Sequence, residues 1–255
     1  MTKTNGTKGW QHYFSAINEI VDNIYTSQGE NIEKAASSLA DAVEKDGILH
    51  VFGVGHSCIM AEEVFWRAAT LAPVHAILEP SMTGHTEITK SNPMEKLEGV
   101  GEIIVDYHKI APPDVMIIAS NSGNNGAPIE VAKACQERDV KVIAITSVTY
   151  SDYLKPLHSS GKKLKDFADF VIDNSTPIGD GALDYEQLMQ KVGPTSTIAG
   201  LYILNSLMVQ AAEFLLDKGK EPDIYFNGSL AANSEEIAKH NNRLIDKYYY
   251  RIRNL

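Results

Sequence analysis

Residues 115–132 read VMIIASNSGNNGAPIEVA. An apolar run of strand length gives way to Ser120-Asn121-Ser122-Gly123-Asn124-Asn125-Gly126, and a helical pattern restarts at Ala127-Pro128. Proline suits the first turn of a helix, where its missing N–H has no partner to lose. The apolar run has no polar alternation, as expected of a strand buried on both faces of a parallel sheet. Seven consecutive small or short polar residues exceed what a strand-to-helix turn needs. The turn therefore reads as one built around a ligand.

Four more short apolar runs flank it: ILHVFGV (48–54), VHAIL (74–78), VKVIAIT (140–146) and FADFVID (167–173). Helical patterns follow at 57–71, 127–138 and, more weakly, 150–158. Strands alternating with helices imply parallel pairing, right-handed crossovers and helices on both faces. The expected fold is an α/β three-layer sandwich around a five-stranded parallel sheet, with helical extensions at both termini. Trp10, Tyr13, Phe14, Ile17, Ile20, Val21 and Ile24 recur at helical spacing, and the pattern resumes after Gln28-Gly29 until Gly47. A nearly all-round apolar helix is expected from Thr197 to Leu216. A last helix is expected from Ser234 to about Tyr250, with Asn233 and Glu236 placed as a capping box. Residues 80–101 lack periodicity, which inside a compact domain marks a lid or binding loop; GEIIVDYHKI (101–110) reads as a further short strand. A single domain over 1–255 is expected, with the sheet core at about 47–174, N-terminal helices at 10–46 and C-terminal helices at 196–250.

With 255 residues and 44% hydrophobic content, the chain can bury a large core without staples. A net charge of −10 argues against nucleic-acid and anionic-membrane partners, which require a clustered positive field. No apolar stretch is expected to span a bilayer, and the polar start MTKTNGTKG has no secretory character. Two cysteines without metal spacing, Cys58 and Cys135, fit a reduced cytoplasm.

Ligands of open parallel sheets bind beyond the carboxyl ends of the strands. Three polar turns can reach such a site: GVGHSC (53–58), ASNSGNNGA (119–127) and VGPTST (192–197). Each joins glycine to hydroxyls at a helix start, where unpaired N–H groups and the helix dipole favour an anion. Ser, Asn and Gly also serve ordinary caps and turns, but three such turns on one sheet edge favour a shared phosphate. Gly53-Val54-Gly55 opens a GxGxxG whose third glycine is Cys58, and Glu79 stands where a ribose carboxylate belongs. That broken motif makes a dinucleotide oxidoreductase the weaker alternative.

The set Gly53/Gly55/Ser57, Ser120/Ser122/Gly123/Asn124 with its following helix and strand, and the Thr195-Ser196-Thr197 helix start resembles the SIS (sugar isomerase) domain family over roughly 30–217. It looks most like the UPF0309, phosphoheptose-isomerase-like group. The resemblance implies a flavodoxin-like sheet, assembly as homodimer or homotetramer, and a small-molecule sugar phosphate held by Gly55, Ser57, Ser120, Asn121, Ser122, Gly123, Asn124, Asn125, Thr195, Ser196 and Thr197. Asn125 stands where the family often has Ser or Thr, and the lysine of the etherase branch is absent from the third turn. The implied activity is aldose–ketose isomerisation, with a non-catalytic sensing module or an amino-sugar-phosphate etherase as alternatives. A basic DNA-binding domain of the kind that accompanies SIS regulators has no counterpart in the first 47 residues.

Isomerisation through an enediol needs a base and a group that handles the oxygen proton. Glu79 matches by position the glutamate after the second strand in two branches of the family, and His56 lies in the first turn. Lower candidates are His85 and Glu87 in the 80–101 segment, Glu62 and Glu63 on the helix after the first turn, and His240 reaching a neighbouring subunit. No cofactor is expected. Zinc, used by phosphoheptose isomerases, is not favoured, since no pair has close ligand spacing. Cys58 reads as a buried thiol rather than an activated one, Tyr248-Tyr249-Tyr250 as packing or an interface, and KKLKD (162–166) as a solvated surface.

Overall fold

The computed structural model describes residues 8–84, 87–229, 234–252 and 254–255. The five apolar runs become five parallel strands, β1 (Leu49–Gly53), β2 (Val74–Ile77), β3 (Val115–Ala119), β4 (Lys141–Thr146) and β5 (Phe170–Asp173), in the order β2-β1-β3-β4-β5. Successive side chains alternate between the faces, and both faces are covered. Leu49, Val51, Val115 and Ile117 pack with Ala36 and Leu39 of α2 (Gly29–Glu44), Ala61 of α3 (Ile59–Val64) and Ile203 and Leu207 of α8 (Ser196–Asp217). α1 (Gly9–Ser27) joins this side through Ile20 and Ile24. Phe52, Ile77, Met116 and Ile118 pack with Ile104 of α5 (Gly101–Tyr107) and Ile129 and Ala132 of α6 (Gly126–Gln136). The three-layer α/β expectation is thus met.

Several local expectations are corrected. Residues 101–107 are helix α5, not a strand: Gly101, Ile104 and Val105 form one buried stripe while Ile103 and Tyr107 stay exposed. The helix expected over 57–71 is a 3₁₀ turn (Gly55–Cys58) leading into the six residues of α3, and positive φ at Trp66 and Ala69 breaks the chain beyond it. The segment after β2 contains α4 (Ile88–Met94), and α7 (Val148–Tyr153) is shorter and earlier than its pattern suggested. The polar stretch after β5 holds an antiparallel pair, β6 (Gly181–Leu183) and β7 (Val192–Pro194). α9 (Ser234–Tyr248) closes the chain, and the capping box proposed through Asn233 lies outside the described residues.

α8 also departs from expectation. Over 22 residues it is long and apolar enough, by length and composition alone, to cross a membrane. Here it lies across the sheet and α2, with Ala199, Gly200, Ile203, Leu204, Leu207, Met208, Ala211 and Leu215 buried. Lys163, expected on a solvated surface, is also buried; its ammonium caps the carbonyls of Ser151 and Leu154 at the end of α7. Of the three consecutive tyrosines only Tyr248 is buried, bonded to Asp223 at 2.7 Å.

Under α5, a polar row crosses the otherwise apolar sheet face. His50 and His75 are paired in register on β1 and β2, with their Nδ1 atoms 3.0 Å apart. Asp114 accepts from Ile48 N–H at 2.8 Å and from Arg251 at 2.7 Å, and lies 3.2 Å from His50 Nε2. Burial lowers the His50 pKa below its ordinary 6.5, against the pull of Asp114. Asp114 is pushed up by its own burial, but bonds from His50 and Ile48 and the charge of Arg251 hold it below the usual range. Both shifts have the same consequence. The unfolded chain takes up a proton at His50 below about pH 6.5 while the folded chain resists, and Asp114 adds a further loss only as the pH falls below its ordinary 3.8. The melting temperature is therefore expected to fall between pH 7.5 and 5.5. Thermal unfolding across that range should show a smaller fall for His50→Gln than for wild type.

Candidate functional site

Gly53 and Ala119 are partners in the β1–β3 register, so the two glycine–serine turns leave neighbouring strands at one level. In this strand order the connection direction reverses between β1 and β3, the switch point at which open α/β sheets bind ligands. The first turn folds back so tightly that a Cβ at Gly53 would lie 2.4 Å from the Ser57 carbonyl oxygen. In the second turn Gly123 has φ +58, and a Cβ there would meet Thr146 Oγ1 at 2.9 Å. Both turns thus require glycine, which explains why the chain turns here without bulky side chains.

The polar residues of the second turn divide into two groups. Asn121 and Asn124 are consumed by the scaffold. Asn121 Oδ1 accepts from Asn174 (2.9 Å) and Thr176 (2.8 Å), while Asn124 donates to Lys155 O (2.9 Å) and accepts from Leu157 N–H (3.2 Å). These contacts tie the turn to the loops after β4 and β5. The other group is unengaged. Among the described residues the hydroxyls of Ser57, Ser120 and Ser122 have no hydrogen-bond partner, although Ser120 is only 5% exposed. The N–H groups of Asn121, Ser122, Asn124 and Asn125 likewise donate to no described residue. Ser57, Asn121, Ser122 and Asn125 are half-buried, so these donors stand open to the solvent side and available to an incoming acceptor. These point to an acceptor-rich ligand.

The third turn behaves differently. Asp180 takes up the start of α8: its Oδ1 accepts from Thr195 N–H (3.0 Å), Thr195 Oγ1 (3.0 Å) and Ser196 N–H (2.7 Å), and its Oδ2 from Ser196 Oγ (3.0 Å). Thr195 is wholly buried and Thr197 half-buried. The helix start predicted to receive an anion has one already, from its own chain.

The catalytic candidates are spread out. Glu79 Oε1 lies 3.6 Å from His108 Nε2, and both line a cavity of about 590 Å³ with His75, Ile103 and Tyr107; no residue of the three turns lines it. His56 is exposed in the first turn and Glu87 is exposed at the start of α4, while His85 lies outside the described residues. Glu63 pairs with Arg67 at 3.4 Å, and Glu62 lies 3.8 Å from Cys58 Sγ. Burial, with the Glu62 charge, pushes the Cys58 thiol up to about 11, so it is not an activated nucleophile. His240 stacks on Phe226 at 3.8 Å and bonds Ile224 O at 2.9 Å, which occupies it within its own chain. Among the described residues, no group of three or more His, Cys, Asp or Glu is placed to hold a metal ion.

A carboxyl not anticipated from the sequence does reach the switch point. Glu95, half-buried at the end of α4, is hydrogen-bonded to the Asn125 side chain, and its Oε2 lies 3.5 Å from the position of a Cβ at Gly55. Burial raises its pKa, against the Lys96 charge and the Asn125 bond. The segment carrying it lies over both turns. Met82 O accepts from Gly55 N–H at 2.7 Å, and Glu95 O accepts from Ala127 N–H at 2.9 Å.

Residues 12–147 match the SIS domain family, and residues 82–215 match DUF2529, a domain of unknown function. UPF0309 proteins of Listeria monocytogenes serotype 4b (36% identical over 241 residues, 94% of this chain and 96% of the relative) and Caldanaerobacter subterraneus (38% over 246 residues, 95% and 98%) align over nearly their whole lengths. The chain belongs to the SIS domain family, in its UPF0309 group. Solved SIS-type structures share the fold at low identity. Phosphoheptose isomerase GmhA from Neisseria gonorrhoeae superposes with a TM-score of 0.54 at 18% identity, covering 80% of this chain and 97% of that one. The Vibrio vulnificus NanR protein, complexed with ManNAc-6P, gives 0.53 at 13% identity, covering 98% and 72%.

Asp180 is the testable element of the third turn. A side chain capping a helix start contributes about 0.5–2 kcal/mol, and Asp180→Ala is expected to lower stability by about that much. Urea unfolding measures it, and Asp180→Asn, which keeps a carbonyl acceptor, should lose less.

Proposed function

We propose that this SIS domain binds a sugar phosphate monoester at the β1/β3 junction and catalyses its aldose–ketose isomerisation. The observation that carries the binding is a set of donors without partners among the described residues: three serine hydroxyls and four N–H groups in turns that leave neighbouring strands at one level. A hydrogen bond to a charged group contributes about 1.5–3 kcal/mol and a helix start about 0.3–1 kcal/mol. Several together hold a dianion without arginine, which reconciles an anionic ligand with a chain of net charge −10. The two solved neighbours, a phosphoheptose isomerase and a protein complexed with ManNAc-6P, support phosphosugar chemistry for this fold.

For the reaction, Glu79 is the proposed base and His56 the group that handles the oxygen proton. A second reading, binding without turnover, is favoured by the position of Glu79, whose carboxylate faces His108 in a cavity apart from the serine turns. We also propose self-association as dimer or tetramer. The exposed Trp10, Phe14 and Tyr25 of α1 support it, and a strictly monomeric mass by light scattering would remove it.

A thermal-shift panel of hexose, heptose and amino-sugar phosphates against the unphosphorylated sugars tests the binding. A ligand at a hundred times its Kd adds about 2.7 kcal/mol, so phosphorylated sugars alone should raise the melting temperature. Ser122→Ala should weaken binding by about tenfold or more. Glu79→Gln should abolish turnover and leave affinity unchanged. Wild-type activity in that variant would remove Glu79 from the mechanism, and absence of turnover in the wild type despite binding would select the second reading.

A further inference from the structure

Glu95 sets an acidic side chain against the first turn, beside the donors from which the proposed function would hold an anion. Its carboxyl lies against Gly55 of the first turn, and the Asn125 side chain of the second favours its ionised form. The main chain holds it there. Glu95 O takes the Ala127 N–H at the start of α6, the carbonyl oxygens of Lys96 and Leu97 would lie 2.5 and 2.8 Å from a Cβ at Gly126, and Met82 O takes the Gly55 N–H. A Cβ at Gly84 would lie 3.4 Å from Gly55 Cα, so the segment that begins after β2 is seated on the first turn. Further along, Glu130 accepts from Gly99 N–H at 2.9 Å and pairs with His158 at 2.7 Å, which anchors the far end of the strap to α6.

We infer that the Glu95 carboxyl, set against the first turn without using the donors of either, opposes an incoming phosphate monoester, which has to displace it. This rests on the phosphate site proposed above. Two like charges a few ångströms apart in a half-buried site repel strongly, so the carboxylate and a phosphate dianion exclude one another. The Lys96 charge and the Asn125 amide both favour the carboxylate, but among the described residues Glu95 forms no ion pair, so a phosphate can take its place. Glu95 thereby sets a threshold: only an anion that collects several of the partnerless serine and N–H donors at once gains enough to displace it. A monovalent anion or an unphosphorylated sugar does not.

The test is titration calorimetry of the full chain with inorganic phosphate and with glucose 6-phosphate, glucose serving as the control. Glu95→Gln keeps the shape and the Asn125 contact but removes the charge; Glu95→Ala removes both. Each is expected to bind both phosphates at least about tenfold more tightly than wild type, while Glu102→Gln, the same charge change at an exposed position on α5, stays within about twofold. Binding by the Glu95 variants alone supports the inference in its strongest form. Wild-type binding that is unchanged or weakened in both Glu95 variants overturns it and leaves the phosphate site standing. No binding by any variant overturns the site and the inference together.

Discussion

The register between β1 and β3 is the constraint on which the site depends. Five consecutive residue pairs, from Leu49 with Val115 to Gly53 with Ala119, bring the two strands to the same height before both turn away. A shift of one residue would point every buried side chain of β1 to the opposite face. Phe52, now packed with Ile77, Met116 and Ile118 under α5 and α6, would then face α2 and α8. The register is therefore fixed by the core, and the common level at which the two serine turns leave Gly53 and Ala119 is a by-product of burying Leu49, Val51 and Phe52 correctly.

The chain then spends most of its polar side chains on holding this geometry. Asn121, Asn124, Asn174 and Thr176 form a network that locks the second turn to the ends of β4 and β5. Glu130 and His158 pin the neighbouring loop and the strap to α6. Every one of these groups is satisfied within the protein. Alongside that scaffolding, the hydroxyls of Ser57, Ser120 and Ser122 have nothing to donate to among the described residues. Rigid polar scaffolding around unsatisfied donors is the arrangement that preorganised anion binding requires.

Much of this was legible in the sequence because it follows from periodicity. The five apolar runs at 48–54, 74–78, 115–119, 140–146 and 167–173 each contain a strand, and the S-x-S-G turn lies where its composition placed it. What the sequence could not reveal was which polar side chains would be used up. Asn121 and Asn124 look identical to ligand contacts until the loops after β4 and β5, 30 and more residues away, are seen to claim them. Thr195 and Ser196 were read as anion donors for the correct electrostatic reason, yet Asp180, 15 residues upstream, is the anion they meet. The signal for α5 was misread because Ile103, Ile104 and Val105 are β-branched neighbours, and only the burial of Gly101, Ile104 and Val105 together reveals the helical period. Glu95 lay inside MEKLEG with no distinguishing feature beyond its place in an aperiodic segment.

Asp180 and Glu95 can be understood together. A chain that gathers N–H groups and hydroxyls at helix starts creates fields that any nearby carboxylate will answer. Where the start is to be permanent, as at α8, the carboxylate takes two backbone and two side-chain donors and seals the site. At the first two turns the Glu95 carboxyl, beside the Asn125 amide and the Lys96 charge, takes none of the serine or N–H donors among the described residues. The difference lies in how many donors each acid satisfies, and that number separates a structural cap from a replaceable one. By this measure the third turn is scaffold, while the first two keep their donors available for the proposed ligand.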